Sequence, residues 1–357
     1  MDMGIKNITG KITVSFKLLP LILCSLLYGC GGGSSSEKPA TVETISEVTS
    51  INETETTTTN TINDTPSNTE TETTAELVTL PKNEPKIDNI ISVLFVFSSE
   101  FSAQYGEDTD LRLQQLINAS NQAFQDSTLS VEFTLAGSAE VEFDQLKTDN
   151  EALTAISCNL DLVARNKGCV RGEDFNFVSS LREQTKADII TFVRPYHSSR
   201  SNQCGSGWVT GAGYEGDLSH PLWKETTVNV VSVDGPCTEW TFAHEIGHNL
   251  GLNHGAAQDA TGGSFPWAWG YGEYDNFSTI MTYRYLYGSY AQAIYRFSNP
   301  DQVCRDSMCG ISKNESNGAD AVSSLKIIIP QVAAFQQSEE PEKIDADPVV
   351  LNDIYTL

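Results

Sequence analysis

Positive charge is scarce in this chain of 357 residues: 22 lysines and arginines face 47 aspartates and glutamates, a formal net charge of −25. Such a surface repels a phosphate backbone, which excludes nucleic acid as the partner. Histidine is scarcer still, with five in all. No CxxC pair occurs, which argues against zinc held by cysteines. No internal repeat is visible. The apolar run from Leu18 to Leu27 is too short to span a bilayer as a mature helix. Residues 31–88 have no Phe, Trp or Tyr, and eleven acidic residues face three lysines there. Such a stretch cannot bury enough apolar surface to offset chain entropy, so it is predicted to be a disordered spacer, with a propeptide as the alternative.

What is present begins with a targeting segment over residues 1–30, in which Lys6, Lys11 and Lys17 precede the apolar run. It ends in Leu27-Tyr28-Gly29-Cys30, followed by three glycines and three serines. This resembles the lipobox of bacterial lipoproteins. The resemblance implies a lipid on Cys30 and membrane attachment through it. Gly31 after the cysteine implies, by the same resemblance, the outer membrane of a Gram-negative cell. A plain secretory signal, cleaved without lipid, is the alternative. Six cysteines remain downstream: Cys158, Cys169, Cys204, Cys237, Cys304 and Cys309. An even number in an exported chain reads as disulfides, with about 15 pairings open. Proximity in sequence favours Cys158 with Cys169 and Cys304 with Cys309, leaving Cys204 with Cys237.

Residues 89–337 are read as one domain and 338–357 as an acidic, poorly ordered tail. Ile90 to Phe97 is a β-branched and aromatic run that predicts a buried strand. Thr109 to Phe124 places Leu111, Leu113, Leu116, Ile117 and Ala123 at near-helical spacing. Strands are predicted at Val131–Leu135, Val141–Phe143, Ala187–Val193 and Thr227–Val233, with a helix at Phe177–Gln184. This order is that of an α/β domain with a mixed or parallel sheet.

The chemistry gathers in His244-Glu-Ile-Gly-His-Asn-Leu-Gly-Leu-Asn-His254. His244 and His248 are four residues apart, so on a helix both imidazoles leave one face and can share a metal. Three protein ligands would leave zinc an open position for water. Glu245 lies about 100° round the helix, beside the metal without ligating it, which suits a general base. His254 would lie off that face if the helix continued. Gly251, which tolerates positive φ, allows the helix to end and the chain to turn back. His197 and His220 sit in polar loops and are expected to be exposed. A structural calcium ion would have to draw on Asp217, Asp259 and Asp275, which lack EF-hand spacing.

The pattern His-Glu-x-x-His-x-x-Gly-x-x-His is the signature of the metzincin metalloproteases, and Ser278-Thr-Ile-Met281-Thr-Tyr283 resembles their Met-containing turn. From Ile90 to Gln336 the chain is similar to bacterial adamalysin (reprolysin)-type domains. The resemblance implies a mixed, mostly parallel twisted sheet, an active-site helix and a smaller, irregular C-terminal subdomain. It implies one zinc ion on His244, His248 and His254, Met281 as an apolar floor, and Tyr283 as an aid at the transition state. Protein or peptide substrates and a monomeric state are expected. Gly205-Ser-Gly-Trp-Val-Thr-Gly211 is either an edge strand that pairs with substrate or a Gly-rich loop. One departure stands out: Gly255 follows the third histidine, where adamalysins have Asp. The alternative to an enzyme is a catalytically silent zinc-holding lipoprotein that binds peptides or surfaces.

Overall fold

The computed structural model describes residues 87–337, apart from 201 and 260, and the strand Ile354–Thr356. The expected signal segment, Cys30 and nearly all of the predicted tether lie outside the described residues. So does most of the tail. Contacts divide the chain at Leu77, and every described residue belongs to the unit Val78–Leu357. Among the described residues no helix is long and apolar enough to cross a membrane.

The apolar run Ile-Ile-Ser-Val-Leu-Phe-Val-Phe sits in β1 (Asn89–Ser98), buried from Val93 to Ser98. It leads into α1 (Ser99–Tyr105), where the Ser98 hydroxyl accepts the Phe101 amide, and then into α2 (Thr109–Asp126). Helix α2 buries Leu113, Leu116, Ile117 and Ala123, whereas Leu111 is 57% exposed on its outer face. The two strands expected at 131–143 are one, β2 (Val131–Val141), which pairs parallel to β1. Register shifts between Val93 and Leu94, so that Leu135 and Gly137 face consecutive residues and Ala136 is extra. That small-residue stretch breaks the apolar alternation, but the ladder continues on both sides of it.

Next come α3 (Asp149–Ser157), α4 (Asp161–Lys167) and α5 (Val178–Thr185). Helix α3 begins with a capping box in which Thr148 and Glu151 satisfy each other's backbone amides. The Thr-x-x-Glu spacing of this box is a sequence signal for a helix that the periodicity alone did not reveal. β3 (Ile189–Pro195) is buried throughout, and β4 (Gly205–Trp208) follows it as a strand rather than a loop. After α6 (Leu222–Thr226), β5 (Val228–Val233) is also buried throughout. Continuous burial of β3 and β5 is what a parallel sheet covered on both faces requires.

The sheet order is β2-β1-β3-β5-β4, with Ile354–Thr356 outermost. β1, β2, β3 and β5 run parallel; β4 is antiparallel to β5, and Ile354–Thr356 is antiparallel to β4. The sheet is thus mixed and mostly parallel. Helix α7 (Trp240–Asn249) follows β5, and the chain closes its core with α8 (Ala321–Val332). Between α7 and α8 the backbone is largely irregular, with short ladders at Gly272–Glu273, Phe277–Ser278 and Gln292–Ala293. Disulfides join Cys158 to Cys169, Cys204 to Cys237 and Cys304 to Cys309.

Candidate metal centre

Helix α7 is buried from Thr241 to Asn249. Its last turn closes through two bonds: the Leu252 amide donates to the Gly247 carbonyl, and the Gly251 amide to that of His248. Gly251 has φ +78°, and a Cβ there would lie 2.7 Å from Ser264 Oγ and 2.9 Å from the Thr210 carbonyl. This is a Schellman turn, and only glycine fits it at no cost. The turn aims the Leu252 carbonyl back at the helix, where it accepts His248 Nδ1–H at 2.8 Å. Asn253 then accepts the His254 amide at 2.7 Å and donates to the Gly262 carbonyl, holding the third histidine in place.

The three imidazoles converge. Nε2 of His244 lies 3.1 Å from Nε2 of both His248 and His254. His244 donates its Nδ1–H to the Ile280 carbonyl at 2.7 Å. With Nδ1 of His244 and His248 engaged as donors to carbonyls, their Nε2 atoms are bare lone pairs facing one another. Burial lowers all three pKa values, helped for His244 by both neighbouring rings and for His248 by His254; His254 falls to about 4. Neutral imidazole nitrogens packed this closely suit a divalent cation of zinc size. Among the described residues they form the one group of metal-ligating side chains close enough to share an ion.

Glu245 is fully buried, and neither carboxylate oxygen accepts a hydrogen bond from the protein. Burial, with the charge of Asp149 beside it, raises its pKa well above the ordinary range. Its oxygens lie under β4: a Cβ on Gly205 would collide with Oε1, and one on Gly207 would stand 3.1 Å from Oε2. Gly205 and Gly207 therefore face α7, while Ser206 bonds Asn150 and the Trp208 indole bonds Ser157 on α3. Side chains of a strand alternate between faces, so α7 and α3 cover opposite sides of β4. The glycine-rich sequence of β4 is the seat of a carboxylate. Asn249 fastens the same helix to the sheet, donating to the Trp208 and Val228 carbonyls and accepting from Asn229.

Met281 is fully buried, and its sulfur would stand 2.5 Å from a Cβ on Gly247, the residue before the second histidine. Its carbonyl accepts the Gly255 amide at 3.1 Å. Gly255 itself has no room for a side chain, because a Cβ would stand 2.8 Å from the Gly270 carbonyl and 3.3 Å from Thr282 Oγ1. That packing accounts for glycine where the resemblance suggested aspartate. The Tyr283 ring lies 5.2 Å from that of His254, and its hydroxyl pKa is raised by burial and by Glu245.

Other residues singled out in the sequence are elsewhere. His197 pairs with Glu100, and His220 accepts the Leu222 amide on Nδ1; both are half-buried rather than exposed. Asp217 accepts the Ser219 amide, Asp275 that of Tyr290, and Asp259 has positive φ in a separate turn. The three aspartates do not converge with one another. Beside His244 opens a cleft of about 1050 Å³, walled by Cys204, Trp240, Tyr283, Arg284 and Tyr295 among others. Asn249 was missed in the sequence because nothing local marks it; the β4 glycines lie in the 205–211 segment singled out there, but their contact with Glu245 was not foreseen.

Residues 88–315 match the profile of a family described as metallo-peptidase family M12B, reprolysin-like. A peptidyl-Asp metalloendopeptidase from Pseudomonas aeruginosa is 31% identical over 275 residues, covering 71% of this chain and 41% of that protein. The chain thus spans about two fifths of that relative's length. A solved structure titled as a chaperone–substrate complex superposes at TM-score 0.50 and 19% identity, over 70% of this chain and 35% of that one.

Proposed function

We propose that this chain, which belongs to the reprolysin-like M12B metallopeptidase family, is a zinc-dependent endopeptidase of the metzincin type. The observation that carries the reading is the convergence of three neutral imidazole nitrogens beside a buried carboxylate with no partner in the protein. His244, His248 and His254 hold the metal. Zinc, when bound, supplies the Lewis acidity that polarises a peptide carbonyl and acidifies water. Glu245 takes the proton from the attacking water and passes it to the leaving nitrogen. Its seat against β4 excludes competing donors and keeps the carboxylate basic. An extended peptide would pair with β4 on the side that the chain's own Ile354–Thr356 takes in this structure, and an acidic residue beside the cleaved bond accords with the name of the Pseudomonas relative. In this reading Tyr283 donates to the oxyanion, supported by its ring packing against His254.

Cleavage of casein or a peptide library by the purified chain, with and without a chelator, tests this. Activity that survives both chelation and Glu245→Gln would sink the mechanism. A folded, zinc-loaded but inactive wild type would instead mark a binding module. We further propose export as a lipoprotein tethered through Cys30 by residues 31–88. Radiolabelled palmitate should enter the wild type and not Cys30→Ala; equal labelling would refute it.

A further inference from the structure

Apart from Ile354–Thr356, β4 is the last strand on its side of the sheet, and its outer edge has none of the usual defences. An unpaired edge recruits other strands, and natural sheets guard it with lysine, proline or a bulge. Gly205–Trp208 carries no charge and no proline, and its register against β5 is unbroken. What covers it is a piece of the same chain. Ile354–Thr356 pairs antiparallel with β4, Ile354 opposite Trp208, Tyr355 opposite Gly207 and Thr356 opposite Ser206. Ile, Tyr and Thr are β-branched or aromatic, the residue types that pair best as strand.

The covered stretch is the one beside the reactive groups. A Cβ on Gly207 would stand 3.1 Å from Glu245 Oε2 and 3.3 Å from His248 Cβ, so the residue opposite Tyr355 rests on the carboxylate and on the second histidine. An extended peptide that reaches this centre along β4 needs the outward N–H and C=O groups of the same residues. It cannot share them with Ile354–Thr356, whichever way it runs, because each backbone group of an edge serves one ladder at a time.

We infer that Ile354–Thr356 is a built-in competitor of substrate, held on the β4 edge by backbone pairing and displaced by any extended peptide that binds there. This role rests on the peptidase reading of the site, in which the segment is what a substrate has to remove. Three residue pairs on a sheet edge are marginal by themselves. Tethering offsets that weakness, because a segment on the same chain acts at an effective concentration on the order of millimolar. Bound and released forms are then near equal in population. A competitor present half the time raises the apparent KM about twofold and leaves kcat alone, since saturating substrate displaces it. Carried on the same chain, it does not dilute away.

The test compares the zinc-loaded full-length chain with its Tyr355→Pro variant. Proline has no N–H to donate and breaks a paired strand, while every residue of the metal centre and of β4 stays as it is. With a fluorogenic peptide substrate, Tyr355→Pro should lower KM about twofold at unchanged kcat. The wild-type KM should be the same from nanomolar to micromolar enzyme. Amide hydrogen exchange over residues 204–209, read by mass spectrometry, should be about twofold faster in the variant. Zinc content and melting temperature identify folded protein. Equal KM or equal exchange in the two proteins would overturn the inference. A wild-type KM that climbs with enzyme concentration would assign the segment to a second copy and overturn the intramolecular contact. Exchange is also compared on the Glu245→Gln background, where turnover plays no part. Faster exchange with Tyr355→Pro there supports the edge contact; if the wild type then cuts no peptide, it is the peptidase reading that fails.

Discussion

Two buried carboxylates sit on opposite sides of the same sheet edge, and they are built in opposite ways. Asp149, at the start of α3, is fully buried and paired with Arg194, which also reaches it through Nε at 3.0 Å, while Ser232 donates at 3.2 Å. Glu245, on α7, is just as buried and has no protein donor at all. A buried charge without a partner costs several kcal/mol and persists only where something other than the fold needs it. Asp149 belongs to the architecture, whereas Glu245 fits the proposed chemistry. Burial alone would not have told them apart; the partner list does.

The difference predicts a double dissociation. Glu245→Gln should lower kcat by about 10²–10⁴-fold, as expected for loss of a general base, with zinc retained and no loss of stability. Steady-state kinetics with metal analysis and urea unfolding read both sides of this. Asp149→Asn should do the reverse, leaving Arg194 buried without its counter-charge and costing about 3–5 kcal/mol in unfolding free energy. Because the Asp149 charge holds the Glu245 pKa up, the acidic limb of kcat/KM should move to lower pH in that variant. An unmoved limb would mean that the two carboxylates do not sense each other.

Acid should separate the two regions as well. Burial depresses His254 from 6.5 to about 4, so between those values the unfolded chain binds a proton that the folded metal-free chain refuses. Stability is complete above the unfolded value and falls as pH drops through that window, by about 3 kcal/mol for His254 alone. His244 and His248 shift in the same direction. Denaturant melts of the chelated chain at stepped pH check this, and a flat profile from pH 7 to 4 would contradict it.

Gly205→Ala drives a Cβ against both Glu245 Oε1 and the Val230 carbonyl at 2.7 Å, and backbone cannot step aside. A loss of about 1–3 kcal/mol from overpacking is expected, with kcat reduced and KM changed less. Wild-type values for both would show that the carboxylate does not need its glycine seat. The smallest effect concerns the edge itself. Removing residues 338–357 frees the groups that Ile354–Thr356 bonds, so KM should fall about twofold as competition for the edge ends. A KM that rises would place the tail on the side of substrate binding.

Much of this centre was legible before folding. The i, i+4 spacing of His244 and His248 is a property of any helix, and Gly251 announces a turn because positive φ is a local demand. The apolar runs of β1, β3 and β5 announced strands of a mixed or parallel sheet for the same reason: their pattern is carried by neighbouring residues. Less legible was the join of 131–135 to 141, because a bulge of small residues hides a ladder that only β1 completes. Whether 205–211 was a strand or a loop was undecidable locally, since Gly-Ser-Gly has no strand propensity of its own and is held by β5.

By itself the sequence determined the three histidines that converge, the carboxylate next to the first of them and the turn that brings the third imidazole round, because all three follow from backbone geometry over eleven residues. Tertiary structure decided the rest. The Ile280 carbonyl that sets the His244 tautomer is 36 residues away, and the Ser232 hydroxyl that partners Asp149 is 83 away. Gly255 lacks a side chain because of Gly270, and the cleft beside His244 draws its lining from segments as far apart as Asn202 and Tyr295. Such contacts join segments that share no local periodicity, so only the closed fold could show which buried carboxylate the protein pairs and which it leaves without a donor.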